Sequence, residues 1–308
     1  KELQFFLDHK VSQVKFVDRT FNCNHAHAME IWRYIKEHDN GITNFHFEIS
    51  ADLIREEELK LMETMRPRLI QLEIGVQSTN PRTVQAIHRT MDLSRLKEIV
   101  DRIYSFGNIH QHLDLIAGLP YEDYDSFRKS FNDVYAMKPQ QLQLGFLKVL
   151  KGSHMMEMCR EYGIVYKTRE PYEVLYTDWL NYGEILKLKT VENMVEVYYN
   201  SGQFQNTLEY VESFFPDAFS FYEQLGMFYE EKGYGNVSHT RMRRYEILLE
   251  FVENISGISM EDVCDRMVMD LYLRENLKSR PAFARDQKGF EKPVWDYRKK
   301  EHVVKNAH

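Results

Sequence analysis

The chain has 308 residues, with 40 Lys and Arg against 47 Asp and Glu, and its net charge of −7 argues against a broad nucleic-acid-binding surface. Three cysteines, Cys23, Cys159 and Cys264, are too few and too scattered for a disulfide framework. With 13% aromatics and only 14 Gly, the chain is expected to bury a sizeable core as a soluble, cytoplasmic protein, with no signal segment, membrane span, or membrane or nucleic-acid partner.

The chain opens in a helical pattern (Leu3, Phe6, Leu7) that runs directly into the strand-like Val14–Asp18. A helix feeding straight into a strand predicts a βα unit without its first strand, and hence a fragment of a longer protein. Strands are predicted over 14–18, 45–50, 69–77, 110–117 and 141–150. Helical patterns over 25–38, 54–66, 80–89, 92–106 and 122–137 lie between them. Such alternation predicts a parallel sheet with helices outside it. The strand faces refine this. His46, Glu48 and Ser50 share one face of their strand; so do Gln71, Glu73, Gly75 and Gln77 of the next, and His110, His112 and Asp114 of the one after. Neighbouring parallel strands with one polar face each predict an α/β fold, a partial TIM-like (β/α) barrel with a polar, concave interior.

Beyond residue 152 strand signals fade, and helices are predicted near 153–162, 171–187, 190–200, 205–214, 217–232, 238–255 and 259–277. The expected organisation is a partial barrel over 1–152, an all-helical domain over 153–280 and a polar tail over 281–308, extended or poorly ordered around Pro281 and Pro293. Two helical stretches, 194–204 and 225–234, are too few for a stacked array and read as one αα unit. Arg241, Arg243 and Arg244 read as a solvated helix face.

Ligands in parallel α/β folds bind at the carboxyl ends of the strands. That rule selects Asp18 with Arg19, Thr20 and Phe21; Glu48 with Ser50; Glu73 with Gln77 and Ser78; Asp114 with Gly118, Leu119 and Pro120; and Lys148 to Gly152. Carboxylates on adjacent strands suit a metal ion, a ligand's amine and ribose hydroxyls, or acid–base work. Any one of them could equally cap a helix or satisfy a neighbour. His110 and His112 look like a metallohydrolase pair, but they sit at the entry end of their strand, about 20–26 Å from the Gly118 loop. His25, His27 and His46 read as structural or surface residues, and Cys23 as a lone packing thiol. No nucleophilic triad and no phosphate-binding loop of the G-x-x-x-x-G-K type is present in the sequence.

The run Glu73-Ile-Gly-Val-Gln-Ser78, followed by Asn80-Pro-Arg-Thr83 and Ile87-His-Arg89, resembles the fourth barrel strand and following helix of the radical S-adenosylmethionine (radical SAM) superfamily. Asp114-Leu-Ile-Ala-Gly-Leu-Pro120 resembles the next strand of that family. Val14–Phe21 resembles the second strand of its cobalamin-dependent branch, and Leu147–Gly152 the exit of the sixth. The helical remainder is similar to a C-terminal domain of unknown function found on such proteins. The resemblance implies a partial barrel whose [4Fe-4S] cluster binds SAM, reductive cleavage of SAM to a 5′-deoxyadenosyl radical, an electron-donor protein, and cobalamin in that branch.

Carried onto this sequence, Asp18, Thr20 and Phe21 would face the methionine amine, and Glu48 and Ser50 the amine or ribose. Glu73, Gln77 and Ser78 would line the ribose and sulfonium, and Asp114 would be a further cofactor-binding residue. Arg89 would pair with the SAM carboxylate, while Gly118, Leu119, Pro120 and Leu147 would flank the adenine. The family's C-x3-C-x2-C cluster motif is absent, and after Cys23 the next cysteine is Cys159. No metal ligand is therefore expected in this chain; the cluster loop and any cobalamin domain are expected upstream, leaving the fragment inactive. Tyr121 departs from the Gly often found after Gly-Leu-Pro. No residue is assigned to the catalytic step, and the substrate is left open. The alternatives are a metal-dependent barrel hydrolase using Glu48, Glu73 and Asp114, and a non-catalytic helical interaction protein.

Overall fold

The computed structural model describes residues 1–274 and 279–285. A short helix α1 (Glu2–Asp8) leads into β1 (Gln13–Lys15), followed by α2 (His25–Glu37), β2 (Asn44–Ile49), α3 (Glu56–Glu63), β3 (Ile70–Gln77), α4 (Pro81–Ala86), α5 (Leu93–Phe106), β4 (His110–Ala117), α6 (Tyr124–Tyr135) and β5 (Gln141–Phe146). Among the described residues these strands form one parallel sheet in the order β1-β2-β3-β4-β5, curled into a half-barrel. Sequential order in a parallel sheet sends every crossover back on the same side, so the helices cover one face and leave the other open.

Local chemistry sets the helix starts. Asn24, Asn80, Asp92 and Asp123 each accept a backbone N–H two or three residues on, and Pro81 occupies the first helical position after Asn80. Gly107 ends α5 at φ +70°, a left-handed conformation that costs glycine little. The apolar strand positions Phe45, Phe47, Leu72, Ile74, Leu113, Leu115 and Leu142 are buried, as are Trp32, Leu59, Ile99, Ile103 and Phe131 of the helices. At the β1–β2 end an aromatic cluster closes this core. Phe47 lies 4.5 Å from Phe16, 4.4 Å from Phe21 and 6.0 Å from Trp32, centroid to centroid.

The segment after β5 departs from the expected all-helical texture. Helix α7 spans only His154–Met158, and β6 (Val165–Tyr166) pairs antiparallel with β7 (Val174–Tyr176), which lies within the helix expected over 171–187. Pro171 cannot donate within a helix. The chain on either side of it finds partners in tertiary structure instead: Val149 N–H donates to Tyr172 O at 2.9 Å and Val174 N–H to Leu147 O at 2.8 Å. β5 accordingly ends at Phe146, and residues 147–149 pair antiparallel with 172–174. Helix α8 (Tyr182–Met194) starts at a capping box in which Asn181 and Glu184 each accept the other's backbone N–H, and it continues as a π-helical turn over Val195–Asn200.

The chain divides into two compact units. The first comprises residues 1–202 and 215–237, and the second 203–214 with 238–308. Within the first, α8 packs on α10 (Ala218–Glu231), and α10 packs on α6 through Phe219, Tyr222 and the Arg128–Asp217 ion pair at 2.7 Å. The Asn200 side chain accepts from Leu142 N–H and donates to Leu142 O, both at 2.9 Å, and so covers the free edge of β5 as another strand would. In the second unit, α9 (Gln205–Val211), α11 (Arg241–Val252) and α12 (Met260–Arg274) pack together. There the buried Asp270 carboxylate accepts the backbone N–H groups of Asn206 and Thr207 as well as their side chains. Residues 286–308 of the expected polar tail, and the last part of the helix expected over 259–277, lie outside the described residues. Among the described residues no helix is long and apolar enough to cross a membrane.

Phe47→Ala is expected to lower the unfolding free energy by about 3–5 kcal/mol, because its ring is enclosed on all sides. Phe5→Ala, at an exposed ring, is expected to change it by less than about 0.5 kcal/mol. Urea unfolding midpoints of the two variants check the contrast.

Candidate functional site

The half-barrel's open face is built by strand register. Lys15 of β1 lies opposite His46, Glu48 opposite Glu73, Glu73 opposite His112, and Gly75 opposite Asp114. With a side-chain period of two, a one-residue slip would bury these groups under the helices. Lys15 Nζ donates to Glu73 Oε2 at 2.9 Å. His46 Nε2 is 2.8 Å from the same oxygen and His112 Nε2 is 3.1 Å from Asp114 Oδ1, but neither contact is aligned as a hydrogen bond.

These neighbours split the two facing glutamates. Burial alone would raise Glu73, but the hydrogen bond and charge of Lys15, aided by His112 and His46, hold it below the usual carboxylate range. Glu48 is raised, first by burial and then by the charges of Glu73 and Asp114. His46 is lowered by burial and by Lys15. The face thus carries carboxylates on three adjacent strands, incompletely balanced.

At the exit end, β3 carries an irregularity between Gly75 and Gln77, and Gln77 adopts φ +70°. Such strain in a non-glycine residue persists where surrounding structure enforces it. Arg89 Nη2 donates to Gly75 O at 2.9 Å. A Cβ at position 75 would strike the Gln77 amide nitrogen and come within 3.4 Å of Arg89 Nη1. The missing side chain of Gly75 therefore lets an amide and a guanidinium lie across the strand. Burial lowers Arg89, while Asp52, Glu48 and Asp114 act in the opposite sense. Gln77 Oε1 is buried on this face without a hydrogen-bond partner in the protein, while His46 Nε2, His112 Nε2 and Asp114 Oδ1 are buried with only the poorly aligned ionic contacts to Glu73 and to each other. Buried polar atoms without well-aligned partners are costly, and their gathering on one face marks a surface built for polar contacts.

The remaining candidates fall in different surroundings. Asp18 is exposed and Thr20 half-buried, whereas the Phe21 ring is buried in the aromatic cluster. Ser50 is clasped by buried Asn22, which accepts from its N–H at 3.0 Å and donates to its carbonyl at 2.9 Å, while the Ser50 hydroxyl donates to Asp52 at 2.6 Å. Ser78 is fully buried and donates to Glu122 at 2.6 Å, as Ser130 does at 2.8 Å. Gly118, at φ +87°, runs close under β7, where a Cβ would come within 2.8 Å of Val174 Cγ1. Leu119, Pro120 and Leu147 are buried. Glu48, Glu73, Gln77, Arg89 and Asp114 therefore share the open face. Phe21 and Ser78 point into packed interior.

Three contributors escaped the sequence reading. Lys15 was legible from the alternation of Gln13 and Lys15 against Val14 and Phe16. Asn22 had no local signal. Glu122, just before the cap of α6, is pushed up to about 7 by burial against the pull of its two serine donors.

A metal cluster is a different matter. Cys23, Cys159 and Cys264 are free and far apart in sequence, and among the described residues no three His, Cys, Asp or Glu side chains gather as a metal centre. The donor set that a thiolate-ligated iron–sulfur cluster requires is not supplied by this chain's three cysteines.

Residues 1–134 match the family model described as the radical SAM superfamily, and residues 160–307 match one described as a protein of unknown function (DUF4080). Over 120 residues the chain is 27% identical to uncharacterized protein YtqA of Bacillus subtilis (39% of this chain, 37% of YtqA). Over 146 residues it is 26% identical to oxygen-independent coproporphyrinogen III oxidase of Salmonella typhimurium (45% of this chain, 31% of the oxidase). The chain thus spans about a third of the length of these curated relatives. Among solved structures, the radical SAM methyltransferase TsrM from Kitasatospora setae, with cobalamin and a [4Fe-4S] cluster bound, aligns at TM-score 0.48 and 15% identity, covering 56% of this chain and 34% of TsrM.

Glu122 carries a pH signature. Its native pKa lies above the ordinary 4.5, so folding favours the protonated acid. That stabilisation is complete below about pH 4.5 and is lost as pH rises through about 7, a change on the order of 3 kcal/mol. Glu122→Gln, uncharged throughout, is expected to flatten this part of the stability profile. Urea unfolding of both proteins at pH 5 and pH 8 measures the difference, and parallel profiles would refute it.

Proposed function

We propose, from the match of residues 1–134 to the radical SAM superfamily and of residues 160–307 to DUF4080, that this chain holds the nucleoside of SAM within a larger enzyme that cleaves SAM reductively. The observation that carries the reading is the shared open face of Glu48, Glu73, Gln77 and Asp114, with Arg89 lying across Gly75. Its chemistry fits a ligand that is cationic at a sulfonium and an amine, anionic at a carboxylate and hydroxylated at a ribose. Glu48, raised by burial and then by its acidic neighbours, is the carboxylate most relieved by an arriving cation. Arg89 offers a fork of donors to a carboxylate. The unpartnered Gln77 Oε1, and the Asp114 carboxylate with only the poorly aligned His112 beside it, are acceptors for ribose hydroxyls or the ammonium. Asp18, Thr20 and Ser50 are assigned to the amine side, and Gly118, Leu119, Pro120 and Leu147 to the adenine side. Phe21 and Ser78 act from behind, by holding the strand ends.

When bound to a reduced cluster, SAM supplies a 5′-deoxyadenosyl radical that abstracts hydrogen from a substrate. This chain's part is to bind and orient the cosubstrate, and the cluster's thiolates come from elsewhere in the whole protein. The likeness of Val14–Phe21 to the cobalamin-dependent branch extends the proposal to cobalamin as a second cofactor of that protein. A metal-dependent hydrolase is less well supported, because Glu48, Glu73 and Asp114 do not converge as a ligand set.

SAM titrated into the chain, followed by calorimetry, is expected to bind, and Arg89→Ala to weaken it about tenfold, the loss of one charged hydrogen-bonding partner. Ligand cation lowers the Glu48 pKa, so affinity is expected to fall as pH drops through the carboxylate range, and Glu48→Gln to remove that dependence. Absence of binding, or indifference to both substitutions, would sink the proposal. After anaerobic iron–sulfide treatment and desalting, the chain is expected to remain colourless. A stoichiometric brown cluster would overturn the account of its ligands.

A further inference from the structure

At the rim of the half-barrel two imidazoles face each other across distant parts of the chain. His88 follows α4 and His154 opens α7, and their Nε2 atoms are 3.3 Å apart, with ring centroids at 5.2 Å and planes at 49°. That separation is at the long end for a hydrogen bond from one ring N–H to the other ring. It matches two nitrogens bound at 2.0–2.1 Å to one tetrahedral zinc ion, which stand about 3.3–3.4 Å apart.

The other ring nitrogen supplies an independent observation. His154 Nδ1 lies 3.3 Å from Glu157 Oε2, one helical turn on. A carboxylate at Nδ1 favours the tautomer with the proton there and leaves Nε2 its lone pair, the arrangement that orients metal-binding histidines. His88 is also held where histidine is not the natural choice. His88 N–H donates to Gln85 O and Arg89 N–H to Val84 O, a helix-ending motif whose left-handed position usually carries glycine, and His88 occupies it at φ +54°.

We propose that His88 and His154 form a two-imidazole site for a borderline divalent transition metal such as zinc, with water completing the coordination and Glu157 positioning His154. Both rings are solvent-accessible, so the ion has an entry path. Softer ligand chemistry excludes magnesium and calcium, which prefer oxygen donors. Occupancy would tie the segment carrying Arg89 to α7, across the rim of the open face. The site does not depend on the SAM reading; it stands or falls by metal binding alone.

Zinc chloride titrated into the chain, read by calorimetry and by the histidine Hε1 resonances, is expected to fill a site of micromolar affinity. His88→Gln and His154→Gln are each expected to weaken that site at least about tenfold, and Glu157→Gln to weaken it less, with magnesium chloride giving no binding. Both histidines are exposed, so far-UV circular dichroism is expected to be unchanged. Should His88→Gln disturb the strained turn, His154→Gln alone decides. Affinity unaltered in His154→Gln, or no zinc bound below millimolar concentration, would overturn the proposal.

Discussion

The constraint on which the site depends is the concentration of negative charge on one face of an in-register parallel sheet. Glu48, Glu73 and Asp114 stand on neighbouring strands. The positive groups that answer them come from an edge strand, Lys15, and from beyond a helix, Arg89. The balance is unequal. Lys15 holds Glu73 ionised, while Glu48 is left facing two like charges. A face of this kind is stable because it meets water, and it is selective because a cation gains more there than at an isolated carboxylate.

A second layer fixes where those groups stand. Glu122, buried behind the exit of β3, receives Ser78 and Ser130, and the hydroxyl of Ser130 in turn accepts Thr79 N–H at 3.0 Å. This network binds the end of β3 to α6. Asn22 does the same for the end of β2 through both backbone groups of Ser50. At the far edge of the sheet, Asn200 closes β5 with two backbone contacts. The open face is thus bordered by polar groups that hold backbone, and apart from the Ser130–Glu122 bond their geometry depends on hydrogen bonds between residues 28 to 58 positions apart.

Much of this was legible beforehand, for a definite reason. A sheet covered on one side leaves a period-two signature in each strand, so the strands from Asn44, Ile70, His110 and Gln141 were expected within a few residues of where they form. The same alternation identified Glu48, Glu73, Gln77 and Asp114 as sharing a face. It could not say what Phe21 or Ser78 touch, because Phe21 opens a single 3-10 turn and Ser78 follows the strand end, where no periodicity reports burial. The hairpin over Val165–Tyr176 was missed for a related reason: its strands are two and three residues long and are held by residues 147–149 rather than by their own pattern.

What the amino-acid order determined by itself, then, was the alternation of strands and helices, the polar side of each strand and the absence of a three-cysteine ligand set. These are local properties, set by side-chain period, capping residues and composition. Tertiary structure alone decided which carboxylate is raised and which is lowered, that Glu122 lies buried beneath Ser78, that Arg89 rests on Gly75, and that His88 meets His154. Each of those depends on distances between residues far apart in the chain, and Coulomb and hydrogen-bond energies fall off over a few ångströms that no sequence spacing encodes.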